Sequence, residues 1–172
     1  MQPILVWFRR DLRIADNPAL IKAASRGVPV IPVFILDDAD AGAHAPGGAS
    51  RWWLHHSLDS LSQQITKIGG KLILRHGPAA TVIEDLVAET GAQAVFWNRR
   101  YEPWAIKRDA AIKRGLRDKG VEVQSFNASL LYEPWTVLNG KIRYTAQLFR
   151  DEFRKQLRAL IQFIRSQVFI ET

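Results

Sequence analysis

The stretch Ile4-Leu5-Val6-Trp7-Phe8-Arg9-Arg10-Asp11-Leu12-Arg13 decides the fold. Its five consecutive apolar residues are too few for a buried helix and suit a strand covered on both faces, as in a parallel sheet. The run then breaks into Arg-Arg-Asp-Leu-Arg, a knot of charge at the strand's carboxyl end. In open α/β sheets that end holds ligands, in the crevice where strand order reverses. Asp16-Asn17-Pro18 follows, a capping signal with proline in the first helical turn. One short stretch thus supplies a central strand, a charged lip and a helix start.

The same alternation recurs outward from it. A helix over about 18–26 ends at Gly27, and Val28–Leu36 reads as a second strand. Pro29 and Pro32 lack amide donors and are expected at an edge or a strand start. Residues 37–50 form a loop long enough to serve function. Ser50 is expected to cap a helix beginning Arg51-Trp52-Trp53-Leu54, in which Trp53, Leu54, Leu58, Leu61, Ile65 and Ile68 make a stripe facing a core. Gly69-Gly70 ends it, and Lys71–Arg75 reads as a third strand. A helix through Val82, Ile83, Leu86 and Val87 stops at Gly91, and Ala94–Trp97 is a fourth strand. A helix over about 103–119 then leads to a fifth strand, Val121–Phe126.

Strands alternating with helices at this spacing imply βαβ units and right-handed crossovers. The fold class expected is α/β: a five-stranded, doubly wound parallel sheet of order 3-2-1-4-5, with helices on both faces. That order sets Arg9–Arg13 beside Asn98–Tyr101, flanking the crevice. From Leu130 the periodicity lapses, and a last amphipathic helix is expected over about 145–169. Its stripe of Phe149, Phe153, Leu157, Leu160, Ile161, Ile164 and Val168 either packs on the domain or meets a second copy in a homodimer. Residues 1–141 are read as the α/β domain and 142–172 as a helical extension.

Composition bounds the function. A length of 172 residues gives room for one domain plus an extension. The absence of cysteine excludes disulfides, thiol catalysis and thiolate metal sites. No apolar run approaches the roughly 18 residues of a membrane span, and the N-terminus lacks the basic-then-apolar order of a secretory signal. A cytoplasmic location without membrane contact is expected. The net charge of +7 suits a nucleic-acid partner and equally a solvated, arginine-rich surface.

The motifs leave alternatives open. The first arginine cluster could bind an anion or form an ion network around Asp11. In Asn98-Arg99-Arg100-Tyr101-Glu102-Pro103-Trp104, Tyr101 or Trp104 could stack on a flat ring or cap the sheet edge. His55-His56 cannot easily chelate one ion, because adjacent helical residues point about 100° apart, and no metal site is expected. No GxGxxG follows the first strand, and no GxxxxGK[ST] or GxSxG occurs. No catalytic residue stands out, and nothing marks a self-contained hydrolase.

Several stretches together resemble the N-terminal α/β domain of the DNA photolyase/cryptochrome family. They are Val6–Arg13 with Asp16–Leu20, Arg51–Leu54 with Leu58 and Leu61, Trp97–Pro103 with Arg108-Asp109, and Leu130-Leu131 with Glu133-Pro134-Trp135. The resemblance covers residues 3–141 and fades from Ile142. It implies a Rossmann-like domain without the glycine fingerprint, holding an antenna chromophore: a folate or deazaflavin in many members, a flavin in some. In the family the antenna passes excitation to FAD in a separate helical domain, where the excited, reduced flavin splits pyrimidine dimers in DNA.

The resemblance therefore implies an antenna module of a deoxyribodipyrimidine photolyase. The FAD site is not among these residues, so repair would need a separate or missing FAD-binding helical domain, and any DNA contact here would be weak or indirect. The alternatives are a non-enzymatic binding or dimerisation module and an inert fragment. Two departures concern the antenna. Folate-binding relatives carry an Asn-Glu pair where Trp104 and Ala105 stand. Deazaflavin-binding relatives keep an arginine matched by Arg51, but an aspartate where Arg100 stands. Arg10, Phe34, Arg51, Arg100 and Trp104 are the expected pocket residues for a flat anionic ligand.

Overall fold

In a computed structural model, placement is described for residues 1–38, 45–131 and 133, and for 154, 157 and 158. The elements run β1 (Ile4–Phe8), α1 (Pro18–Ala24), β2 (Val30–Leu36), α2 (Gly48–Lys67), β3 (Ile73–His76), α3 (Ala79–Thr90), β4 (Ala94–Asn98), α4 (Pro103–Asp118) and β5 (Glu122–Phe126). The five strands form one sheet of order β3-β2-β1-β4-β5, every pair parallel. This is the doubly wound order that the strand–helix alternation predicts.

All five β1 residues are buried, because the strand lies at the sheet's centre with helices on both sides. Alternate side chains enter separate cores. Leu5 and Trp7 join Ile83 and Leu86 of α3 and Ile112 and Leu116 of α4. Ile4, Val6 and Phe8 join Ala19 and Ala23 of α1 and Leu61 and Ile65 of α2. Each fully buried side chain of this size contributes about 1.5–3 kcal/mol. The central strand therefore ties both layers together.

Several local expectations are corrected. Pro32 lies inside β2, opposite Val6 of β1, rather than at an edge or strand start. The Ile4 amide donates to Pro29 O at 2.9 Å, so in a parallel ladder the odd-numbered amides of β2 face β1. The missing amide of Pro32 faces β3, where pairing begins only at Val33–Ile73, so no ladder bond is lost. Helix α2 starts at Gly48 with Gly47 as its cap, which places Ser50 in the first turn rather than before it. Trp53 and Ile68 are 69% and 71% exposed and fall off the buried stripe, whose core residues are Leu61 and Ile65.

The chain divides into two compact units, Met1–Ser129 and Leu130–Thr172. The expected boundary at 141–142 and most of the expected last helix lie outside the described residues. Within the second unit Arg154, Leu157 and Arg158 are helical and exposed. No helix among the described residues is long and apolar enough to cross a membrane.

Candidate functional site

The carboxyl ends of β1, β2 and β4 meet in a cluster of charge whose members divide by burial. Arg9, the first residue past β1, is buried, with Nη1 donating to Asp109 Oδ2 at 2.6 Å and Nη2 to Asn98 O. Asp109 Oδ1 accepts from Arg108 Nη2 at 2.9 Å, and Arg108 Nη1 lies 3.3 Å from Asp37 Oδ2. The Asp37 carboxylate also accepts from the Ala79 amide at 3.2 Å. It thereby caps α3, whose own N-cap residue, Pro78, has no side chain to do so. Two arginines and two aspartates thus form a charge-balanced chain from β1 through α4 to the end of β2. Burial pushes the Arg9 guanidinium below the usual arginine range, and Asp109 opposes the shift.

A second set of bonds stitches the strand ends to α1. Asp11 accepts from the Arg9 amide at 3.0 Å and from Asn98 Nδ2. Asn98 Nδ2 also donates to Asn17 Oδ1 at 2.8 Å, and its Oδ1 accepts from the Ala19 amide at 3.1 Å. Asn17 caps α1 through Leu20 N, just after Asp16 at φ 50°, a left-handed conformation that aspartate tolerates. Of the three arginines of the opening motif, Arg9 is sealed in structure and Arg13 donates to Asp16 O and Ala128 O. The Arg10 side chain is 75% exposed, with Glu102 Oε1 at 3.3 Å. The ion-network reading describes Arg9, while the Arg10 side chain is left largely in water.

Above this floor opens a cavity of about 950 Å³, the size of a cofactor site. Trp7, Phe34, Trp53 and Trp104 line it, together with five arginines and the three aspartates Asp11, Asp37 and Asp38, among the described residues. Trp7 stands edge-on to Trp97 at 5.6 Å, which fixes its ring. The Arg108 guanidinium lies 4.9 Å from the Trp7 ring centre and 5.0 Å from that of Trp104, while Arg100 lies 4.6 Å from Trp104. Aromatic planes and cations therefore alternate along one wall.

The cavity brings together four of the residues picked from sequence: Arg10, Phe34, Arg100 and Trp104. Arg51 is not among the lining residues and reaches the site through Asp38, with Nη2 2.8 Å from Asp38 Oδ2. Trp7, Trp53, Asp37 and Asp38 were not singled out as site residues. The Asp37-Asp38 pair directly after a buried strand was the available signal. Trp53 carried none, since its spacing matches the core stripe. Outside the cavity, Trp52 packs edge-on against His56 at 4.4 Å, and among the described residues no group of three or more His, Cys, Asp or Glu could hold a metal ion.

Three buried polar atoms on lining residues have no hydrogen-bond partner: Trp7 Nε1, Arg9 Nε and Asp38 Oδ1. Leaving such an atom unpaired costs about 1–3 kcal/mol. Two donors and an acceptor beside aromatic walls and surplus arginine fit a flat, anionic, hydrogen-bonding ring system. At the lip, the hydrogen bond from Arg100 and the nearby Arg10 charge hold the Glu102 carboxyl well below the usual range, at about 2.

A family model described as DNA photolyase matches residues 4–167, past the point where the motif resemblance fades. A deoxyribodipyrimidine photo-lyase of Agrobacterium fabrum is 51% identical over 132 residues, covering 77% of this chain and 27% of that protein. Cryptochrome-2 of Arabidopsis thaliana is 46% identical over 135 residues, covering 77% and 22%. The crystal structure of a bacterial class III photolyase from Agrobacterium tumefaciens superposes with a TM-score of 0.72 at 50% identity, over 77% of this chain and 27% of that one. A Synechocystis cryptochrome structure, at 24% identity and a TM-score of 0.76, shares the fold. The chain spans about a quarter of the length of these relatives and corresponds to their N-terminal part. Sheet order, charged strand ends and these matches agree, and the chain belongs to the DNA photolyase family.

Proposed function

We propose that this domain binds the antenna chromophore of a light-driven DNA photolyase. The observation that carries the reading is the cavity of about 950 Å³ whose walls alternate tryptophan and arginine above a charge-balanced floor. When bound, the chromophore would absorb near-ultraviolet or blue light and pass the excitation on. Trp7 and Phe34 flank it from the two faces of the sheet, and Trp53 covers its outer side. Arg10, whose side chain is 75% exposed at the lip, favours an anionic ring or tail. Trp7 Nε1 and Asp38 Oδ1 supply the edge contacts, and Arg51 steadies Asp38.

Dimer splitting belongs, in this reading, to an FAD-bearing helical domain of the kind that completes longer family members. It would act as the partner that receives the excitation. Trp104 and Ala105 remove the carboxylate that a pterin would use, and the Arg100 guanidinium is occupied by Glu102. The test is an absorption spectrum of the purified protein through the near-ultraviolet and blue, with the released ligand identified by mass. A stoichiometric flavin, deazaflavin or folate supports the reading. A blank spectrum that stays blank after incubation with each of the three overturns it.

A further inference from the structure

A smaller cavity of about 450 Å³ opens beside the first, between the carboxyl ends of β1 and β4. This is the point where strand order reverses, since β1 is followed by β2 on one side and adjoins β4 on the other. Arg10, Arg13, Arg99 and Arg100 line it, against the two carboxylates Asp11 and Glu102. Aromatic side chains do not dominate it: Tyr101 is the single aromatic among the described lining residues, and its hydroxyl donates to Asn127 Oδ1 at 3.0 Å. The large cavity sets its charges among tryptophan rings, whereas this one is walled by charge with little aromatic surface.

The carboxylates present are already engaged. Asp11 is held by the Arg9 amide and Asn98. Glu102 lies 2.9 Å from Arg100 and 3.3 Å from Arg10, and is the internal counter-ion of both. The hydrogen bond from Arg100, with the charges of Arg100 and Arg10 adding to it, holds its carboxyl at about 2. Arg13 donates to the carbonyl oxygens of Asp16 and Ala128, and its carboxylate neighbour, Asp16 Oδ2, stands 3.8 Å off on a side chain that is 93% exposed, so water screens that pair. Guanidinium groups with planar, fixed donors suit phosphate oxygens.

We propose that this second cavity is a phosphate-binding site, taking the dianionic phosphate group of a small phosphate monoester. Glu102 competes with that phosphate for Arg10 and Arg100. The two cavities share Arg10, Asp11, Arg13 and Arg100, whereas Glu102 and Ser129 line only this one and Trp53 only the larger, so substitutions at Ser129 and Trp53 tell the two sites apart. Failure of the phosphate site and failure of the antenna proposal are therefore separable.

The test is calorimetric titration of inorganic phosphate, and in parallel adenosine monophosphate, into the full chain at low salt. Four variants accompany it, with folding checked by circular dichroism. Ser129→Glu adds a carboxylate at an exposed position on this rim, and Trp53→Glu adds one to the larger cavity. Ala88→Glu adds one near the C-terminal end of α3, at the opposite edge of the sheet. Glu102→Gln removes the internal competitor. Saturable binding is expected for phosphate and for the ester, weakened about tenfold by Ser129→Glu and tightened severalfold by Glu102→Gln. Ala88→Glu and Trp53→Glu should leave it within about twofold. Three outcomes overturn the proposal. The first is no saturable binding of either compound up to about 20 mM. The second is Ser129→Glu and Glu102→Gln shifting affinity no more than Ala88→Glu. The third is Trp53→Glu weakening binding as much as Ser129→Glu, which puts the ion in the larger cavity.

Discussion

The floor and the lip of the main cavity use the same residue types for opposite purposes. On the floor, the Arg9 side chain is 3% exposed and Asp109 11%, and every charge has an opposite partner. At the lip, Arg10 is 75% exposed and Trp53 69%. A buried arginine without its carboxylate would carry a desolvation cost that water cannot relieve. An exposed one keeps its hydration and can exchange it for a ligand. Position along the strand end, one residue apart, separates a structural arginine from one available for binding.

The sharpest way to break this contrast is to remove a floor charge. Asp109→Ala strands the buried Arg9 beside Arg108, which keeps only Asp37, and a loss of about 3–5 kcal/mol is expected in urea unfolding. Retention of wild-type stability would mean that the floor is hydrated and the contrast false. Asn98→Ala comes next. It removes the acceptor of the Ala19 amide and the donor to Asn17 and Asp11, for about 2 kcal/mol. Chemical denaturation of the variant reads it directly.

Acid provides a gentler perturbation. Glu102 has a folded value of about 2, below its ordinary 4.5, so the folded state favours the carboxylate. Its contribution is fully present above pH 4.5 and is lost as pH falls toward 2. Thermal melts of wild type and Glu102→Gln should therefore differ by a constant amount from pH 7 to about pH 5 and converge below. A constant difference down to pH 2 would contradict the lip pairing. The smallest effects belong to Arg10→Gln and Trp53→Ala, each expected to change stability by no more than about 0.5 kcal/mol because their side chains are largely in water. A larger loss in either would move that residue from the lip to the framework.

The architecture was legible because β1 is apolar at five consecutive positions and glycines punctuate the elements around it. Gly91, at φ 64°, ends α3 in the left-handed conformation that glycine adopts without penalty. Pro32 misled because a proline in a central strand is harmless when its missing donor faces a stretch without a partner, and that register is a tertiary fact. Trp53 and Ile68 misled because both keep the helical period of Leu61 and Ile65, yet they lie beyond the sheet's reach. In the site, Arg10, Phe34, Arg100 and Trp104 were legible from strand ends and from the family resemblance. The role of Asp37 was not, since its partners Arg108 and Ala79 are distant in sequence and are brought together by the crossover.

The claim that matters most is that the exposed lip, above the neutral floor, is what grips the chromophore. It is tested most directly by titrating the chromophore recovered from the protein, or a flavin if none is recovered, into wild type, Arg10→Gln and Trp53→Ala, following its absorption. The account predicts saturable binding to wild type, weakened about tenfold in each variant while melting temperature is unchanged. Equal affinity in all three folded proteins would contradict it.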